Sequence, residues 1–258
     1  MRVDVGSSTI YFTSCKASAE EVELFTDVGE RSGDVIGAVS GIVSLVLSIV
    51  GFALIGAAGF ALEPGASADE VADALSDGNT RLALTGIFLD TLGSLFLIAF
   101  AAFLWTRLRG AEGESGWISI ASFAAALLMV AAGLGDKAAY YAIVSRADAG
   151  LDADVATALY DTVTGFFTLF QALAGFFLFV TGLAVLQTGA LRRWLGWTGT
   201  AIGVASIAAA ADPESSLGQL AFPLVVLWIV AMSIALLRAP ASEVASARMP
   251  GGTPARRR

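Results

Sequence analysis

The chain has 258 residues, 56% of them hydrophobic, with a formal net charge of −8. Its mean hydropathy of +0.76 is too high for an ordinary water-soluble domain and places it in the membrane class. With no histidine and Cys15 as the one cysteine, it lacks imidazole bases, His-containing zinc or haem sites, iron–sulfur ligand sets and intrachain disulfides.

Those absences remove histidine-dependent intramembrane metalloproteases and Ser-His proteases. The acidic balance argues against a nucleic-acid partner, which wants a basic face. No metal, cofactor or catalytic pattern stands out, and no cofactor is expected. Thirteen of the fifteen basic residues are Arg, and Ala and Gly abound. That bias suggests a GC-rich bacterial genome, hence a bacterial inner membrane.

Residues 1–33 lack the basic n-region, apolar h-region and small-residue cleavage site of a signal peptide, so the first span is expected to be a retained anchor. Thr13-Ser14-Cys15 has no preceding apolar run that would make it a lipidation site. Ser18 and Glu21 have capping-box spacing for a short cytoplasmic helix.

Six apolar stretches follow, at residues 34–62, 82–105, 117–136, 162–188, 195–211 and 220–238. Each is near the roughly 20 residues that cross about 30 Å of hydrocarbon, and in lipid such segments must be helical. The expected fold is all-α, an integral membrane bundle of six transmembrane helices. The first stretch carries Gly37, Gly41, Ser44, Ser48 and Gly51 at spacings of four and three, a small-residue seam for close helix packing. Gly199, Gly203 and Ser206 repeat the device in the fifth. The seams suit packing within the bundle, a homodimer contact or another membrane protein. The loop after the first stretch predicts a two-turn helix, with Ser67 and Glu70 as a capping box and Gly78 at its C-cap. Pro223 near the start of the sixth stretch is tolerated there. Residues 239–258 read as a disordered, Arg-rich cytoplasmic tail.

An N-terminus in the cytoplasm puts twelve basic residues inside and three, Arg81, Lys137 and Arg146, outside. The positive-inside rule therefore places both termini in the cytoplasm. Trp105, Trp117, Trp194 and Trp197 then fall at inner ends, and Tyr140, Tyr141 and Tyr160 near outer ends, as interfacial belts.

Asp90 is the outstanding residue. It lies eight positions past Leu82, about 12 Å into the hydrocarbon at 1.5 Å per residue, on one face with Gly86 and Gly93. A bare carboxylate at the bilayer centre costs about 2.5–3.5 kcal/mol on insertion scales, so a partner, a proton or a wet cavity is expected. Gln171, on a stripe with Thr164 and Thr168, matches Asp90 in depth. Asp136 and Lys137 close a stripe at the outer end of the third span, from which Lys137 could lean inward to Asp90 while Arg81 met Asp136 at the rim. The candidate polar site is therefore Asp90, Gln171, Asp136, Lys137 and Thr168. Asp90-Thr91 and Asp161-Thr162 hint at an internal repeat, but their registers disagree.

The run from Gly182 to Ser206 contains Thr188-Gly189, Arg192-Arg193 and Trp194-Leu195-Gly196. It resembles a segment of uncharacterised bacterial membrane proteins of the domain-of-unknown-function type. The resemblance implies a six-helix integral membrane protein and carries over no catalytic residue. The sequence is thus read as a non-enzymatic multi-pass membrane protein with a structural, regulatory or partner-assembly role. The alternative is a small proton- or cation-responsive carrier using Asp90. A cavity reaching Asp90 from the outside favours the carrier; a dry, fully packed Asp90 favours the component.

Overall fold

The computed structural model describes residues 19–62, 65–113, 115–212 and 215–238, with side chains from residue 32 onward. The lipidation and capping readings at residues 13–21 and the tail at 239–258 lie outside the described residues or side chains.

The elements are α1 (Ala19–Ala57), α2 (Ala68–Asp77), α3 (Thr80–Glu112), α4 (Trp117–Ala147), α5 (Ala153–Thr188), α6 (Arg193–Ala209) and α7 (Ser216–Arg238). Six long helices run alternately in opposite directions, and α2 lies across one end. At that end the Asn79 N–H donates to Ala58 O at 2.9 Å, the Tyr160 hydroxyl to Phe60 O at 3.1 Å and the Thr80 hydroxyl to Asp148 Oδ1 at 3.4 Å. At the other end Arg107 pairs with Asp34, tying α3 to α1. There the Glu112 carboxylate also accepts the Ile118 and Ser119 N–H groups at 3.0 and 2.9 Å, satisfying donors that the first turn of α4 leaves open.

Among the described residues, five helices are long and apolar enough to cross a membrane: Ser32–Ala57 within α1, and α3, α4, α5 and α7. The sixth expected span, α6, has 17 residues and is not among them. The side surface agrees with a membrane setting. Val46, Phe88, Leu128, Leu169 and Leu227 are each more than half exposed, an apolar skin that soluble monomers avoid.

Helix bounds depart from the expected spans where charges had been taken as boundaries. α4 continues eleven residues beyond 136 and α5 starts nine before 162. α1 begins at Ala19, inside the segment read as separate, and stops at Ala57, not 62. Gly59, at φ +85°, turns the chain so that Phe60 folds under the end of the bundle, fully buried. Only glycine enters that left-handed region without strain.

The short helix α2 forms as its local sequence predicts. Ser67 and Glu70 make both arms of a capping box, and Gly78 is the C-cap. The Glu70 carboxylate accepts the Ser67 N–H at 2.7 Å and its hydroxyl at 2.9 Å, and these bonds hold its pKa below the usual carboxylate value. Val71 and Ala74 are buried, so α2 seals this end.

Both small-residue seams are consumed inside the chain. A Cβ on Gly51 would sit 2.6 Å from Gly86 O, one on Gly93 2.8 Å from Ser44 O, and one on Gly41 2.7 Å from a Phe100 ring carbon. These distances are too short for any side chain, so α1 and α3 touch backbone to backbone. In α6 the same logic sets Gly203 against Gly175 O of α5, at 2.6 Å, and Gly199 against Trp228 of α7. Gly189, at φ +64°, caps α5 and makes the tight turn into α6.

Two apolar cores result. One holds Phe100, Leu104, Phe177, Leu195 and Trp228; the other, under α2, holds Ile55, Phe60, Val71, Ile143 and Tyr160. Tyr140 and Tyr160 belong to the second core, both 7% exposed, with rings edge to face at 6.1 Å. They are not interfacial as expected. Trp117, Trp194 and Trp197 are at least half exposed at the opposite end, whereas Trp105, expected beside them, is partly buried with its indole N–H withdrawn from solvent and unpartnered.

Candidate functional site

Along α1, α3, α4 and α5 a stretch of chain separates the residues of one core from those of the other, and the charged cluster lies in it. Asp90 is about ten residues from the start of α3 and Lys137 about ten from the end of α4. Each is therefore about 15 Å from the α2 end at 1.5 Å per residue. Lys137 is not at the rim.

Lys137 Nζ lies 2.8 Å from Asp90 Oδ2 and 3.8 Å from Asp136 Oδ2, and it also donates to Gly133 O at 3.0 Å. The side chains of Lys137, Asp90 and Asp136 are 11%, 14% and 16% exposed, so all three charges are withdrawn from solvent. A Cβ on Gly133, one turn before Lys137, would crowd the Phe170 ring at 3.3 Å, with the ammonium at an ordinary 3.7 Å. Pairing makes Asp90 tolerable in lipid, and the ammonium's further hydrogen bond to Gly133 O helps to fix the pair. The balance is incomplete. Two carboxylates face one ammonium, and Asp136 Oδ1 is buried with no hydrogen-bond partner.

The cluster lines a cavity of about 430 Å³ bounded by α1, α3, α4, α5 and α7. Ser44, Ser48 and Ser94 add hydroxyls, and the rest of the wall is apolar: Phe52, Phe167, Phe170 and Phe222 dominate it. Of the lining residues, Ile49, Phe52, Phe167 and Phe222 are also exposed on the side of the bundle, at 54%, 59%, 39% and 39%. The mouth is thus lateral, between α1 and the α5/α7 pair. The core beneath α2 closes the end from which an outward-facing cavity had been expected to open.

Two residues of the candidate site stand elsewhere. Gln171 is buried and donates to Gly218 O of α7 at 3.2 Å. Thr168 donates to Thr164 O of its own helix at 3.0 Å. Depth matched Gln171 to Asp90, but the rotation of α5 turns that face toward α7. Arg81 is exposed, and among the described residues no ion pair joins it to Asp136. Asp161 is also exposed, unlike Asp90, so the hinted repeat gives no second cluster.

The aromatic wall escaped sequence analysis. Its phenylalanines come from three helices, and nothing in their spacing separates them from lipid-facing Phe residues. The one available signal was Gly133, a small residue one turn from an intramembrane lysine. No family model matches the chain, and no curated protein or solved structure matches it.

Proposed function

We propose that the chain is a non-enzymatic, six-span protein of a bacterial inner membrane, with both termini cytoplasmic, that acts as a small carrier binding its ligand within the bilayer. The observation that carries this reading is the cavity at the Asp90–Lys137–Asp136 cluster. A purely structural ion pair would be enclosed by packed side chains, whereas this one faces about 430 Å³ of space, within the range of small-molecule pockets. Intramembrane ionisable groups beside a cavity are the usual marks of a solute or ion pathway. Arg107, Arg109, Arg192, Arg193 and Arg238, at the end opposite α2, support a cytoplasmic assignment for that end. In this setting α6, about 25 Å long at 1.5 Å per residue, spans by close packing against α5. The seams that would suit a homodimer are filled by neighbouring helices of the same chain, which favours a monomeric binding unit.

Access to the cavity is tested with Ser48→Cys in a Cys15→Ser background, reconstituted in lipid. Lipid-soluble N-phenylmaleimide is expected to modify the cavity thiol, and a membrane-impermeant sulfonated methanethiosulfonate to spare it. Leu104→Cys, at a core position 1% exposed, is expected to react with neither. Equal resistance of both cysteines to the lipid-soluble reagent would remove the cavity and with it the carrier reading.

A further inference from the structure

The charge and the wall of the cavity together select a class of ligand. We infer that the cavity binds a lipid-soluble monovalent organic cation, an ammonium or phosphonium carrying aromatic or alkyl groups, with Asp136 as its counter-ion. The inference rests on the carrier reading and names the substrate class.

Charge is the first consideration. Lys137 is committed to Asp90 at 2.8 Å and to Gly133 O, while Asp136 lies farther off at 3.8 Å with Oδ1 unpartnered. The cluster is one positive charge short. An anion would add to the imbalance in a medium where unpaired charge is costly. A neutral solute would leave it unchanged, whereas one positive charge completes it.

The wall then distinguishes among cations. A bare inorganic cation needs about six or more oxygen ligands in place of its hydration shell; of the seven oxygens on this wall's two carboxylates and three serine hydroxyls, Asp90 Oδ2 is held by Lys137 at 2.8 Å and Asp136 Oδ1 is buried, which leaves five. What the wall does offer is aromatic surface. The rings of Phe167, Phe170 and Phe222 form a triangle with centroids 6.4, 6.0 and 6.3 Å apart. Ring faces attract cations that come within about 6 Å of their centroids, most strongly when desolvated. The mouth at Ile49, Phe52, Phe167 and Phe222 admits such a ligand from lipid, where a cation with an apolar body concentrates.

The test uses the full-length protein in nanodiscs with two probes of like shape and opposite charge, tetraphenylphosphonium and tetraphenylborate. Saturable binding of the phosphonium is expected, with the borate weaker by more than about tenfold because it meets the excess carboxylate. Asp136→Asn should weaken the phosphonium by more than about tenfold, and Phe170→Leu by about threefold or more. Neither change should weaken the borate. Asp136→Asn keeps Asp90 and Lys137 paired, and an unchanged melting temperature verifies its fold. Equal binding of both ions, or indifference of the phosphonium to Asp136→Asn, overturns the cation assignment and leaves the cavity as a general apolar site. Failure of both ions to bind while Ser48→Cys still reacts with N-phenylmaleimide overturns the assignment alone. Failure of both ions together with an inert Ser48→Cys overturns the carrier reading as well.

Discussion

Lys137→Met is expected to lower stability in detergent or lipid by about 3–5 kcal/mol, the usual result of removing one partner from a buried ion pair. The change removes the ammonium from within 2.8 Å of Asp90 and 3.8 Å of Asp136. Two carboxylates are then left at depth without a cation. Met fills much of the same volume, so packing loss is small and the effect is electrostatic. The charge count gives a rescue. Adding Asp90→Asn to Lys137→Met restores the wild-type imbalance of a single negative charge, and the double variant should recover most of the loss. Asp90→Asn alone leaves Lys137 beside Asp136 and should be mild. Chemical or thermal unfolding of the four proteins reads the series. A Lys137→Met protein as stable as wild type would mean that the cluster is hydrated and carries little of the fold.

Gly51→Ala should be the most damaging single-methyl change in α1. Its Cβ would sit 2.6 Å from Gly86 O and 2.8 Å from Asp90 N, backbone atoms that cannot rotate away, so α1 must move off α3 beside the ion cluster. Overpacking of this kind costs about 1–3 kcal/mol, and the displaced wall should also weaken any ligand of the cavity. Gly56→Ala, five residues on in the same helix, is the control. Its nearest neighbour would be Ala61 Cβ at 3.8 Å, an ordinary contact, and alanine is the better helix former by about 1 kcal/mol. The two alanine variants should therefore shift the unfolding midpoint in opposite directions, or the second not at all. Equal effects would mean that the α1–α3 contact is not backbone to backbone.

The parts of this molecule that follow from neighbouring residues were legible in its sequence. The apolar windows of α1, α3, α4, α5 and α7 announce themselves because an apolar run of that length has few homes outside lipid. The helix α2 was legible because each of its signals is local: Ser67 and Glu70 act on one another across three residues, and Gly78 closes the last turn on Ala74 O. What escaped was whatever depends on rotation or on distant packing. Asp136-Lys137 was taken for the end of a span because charges are costly in hydrocarbon. The helix runs on to Ala147 because Asp90, on another helix, balances Lys137. Gln171 had the right height and the wrong azimuth. Tyr140 and Tyr160 had the right height for an interface, but Gly59 turns Phe60 beneath them and makes that layer a core. The cavity itself arises where helices do not fill the space between them, which no local pattern records.

The most direct measurement is carbodiimide labelling of the reconstituted protein, with the modified residue identified by mass spectrometry. Lipid-soluble dicyclohexylcarbodiimide should enter through the lateral mouth and modify Asp136, which lines the cavity with its side chain 16% exposed, and a water-soluble carbodiimide should leave it untouched. Labelling should vanish in Asp136→Asn. An Asp136 that neither reagent reaches in the folded protein, or that the water-soluble reagent labels equally well, would contradict an intramembrane site open to lipid.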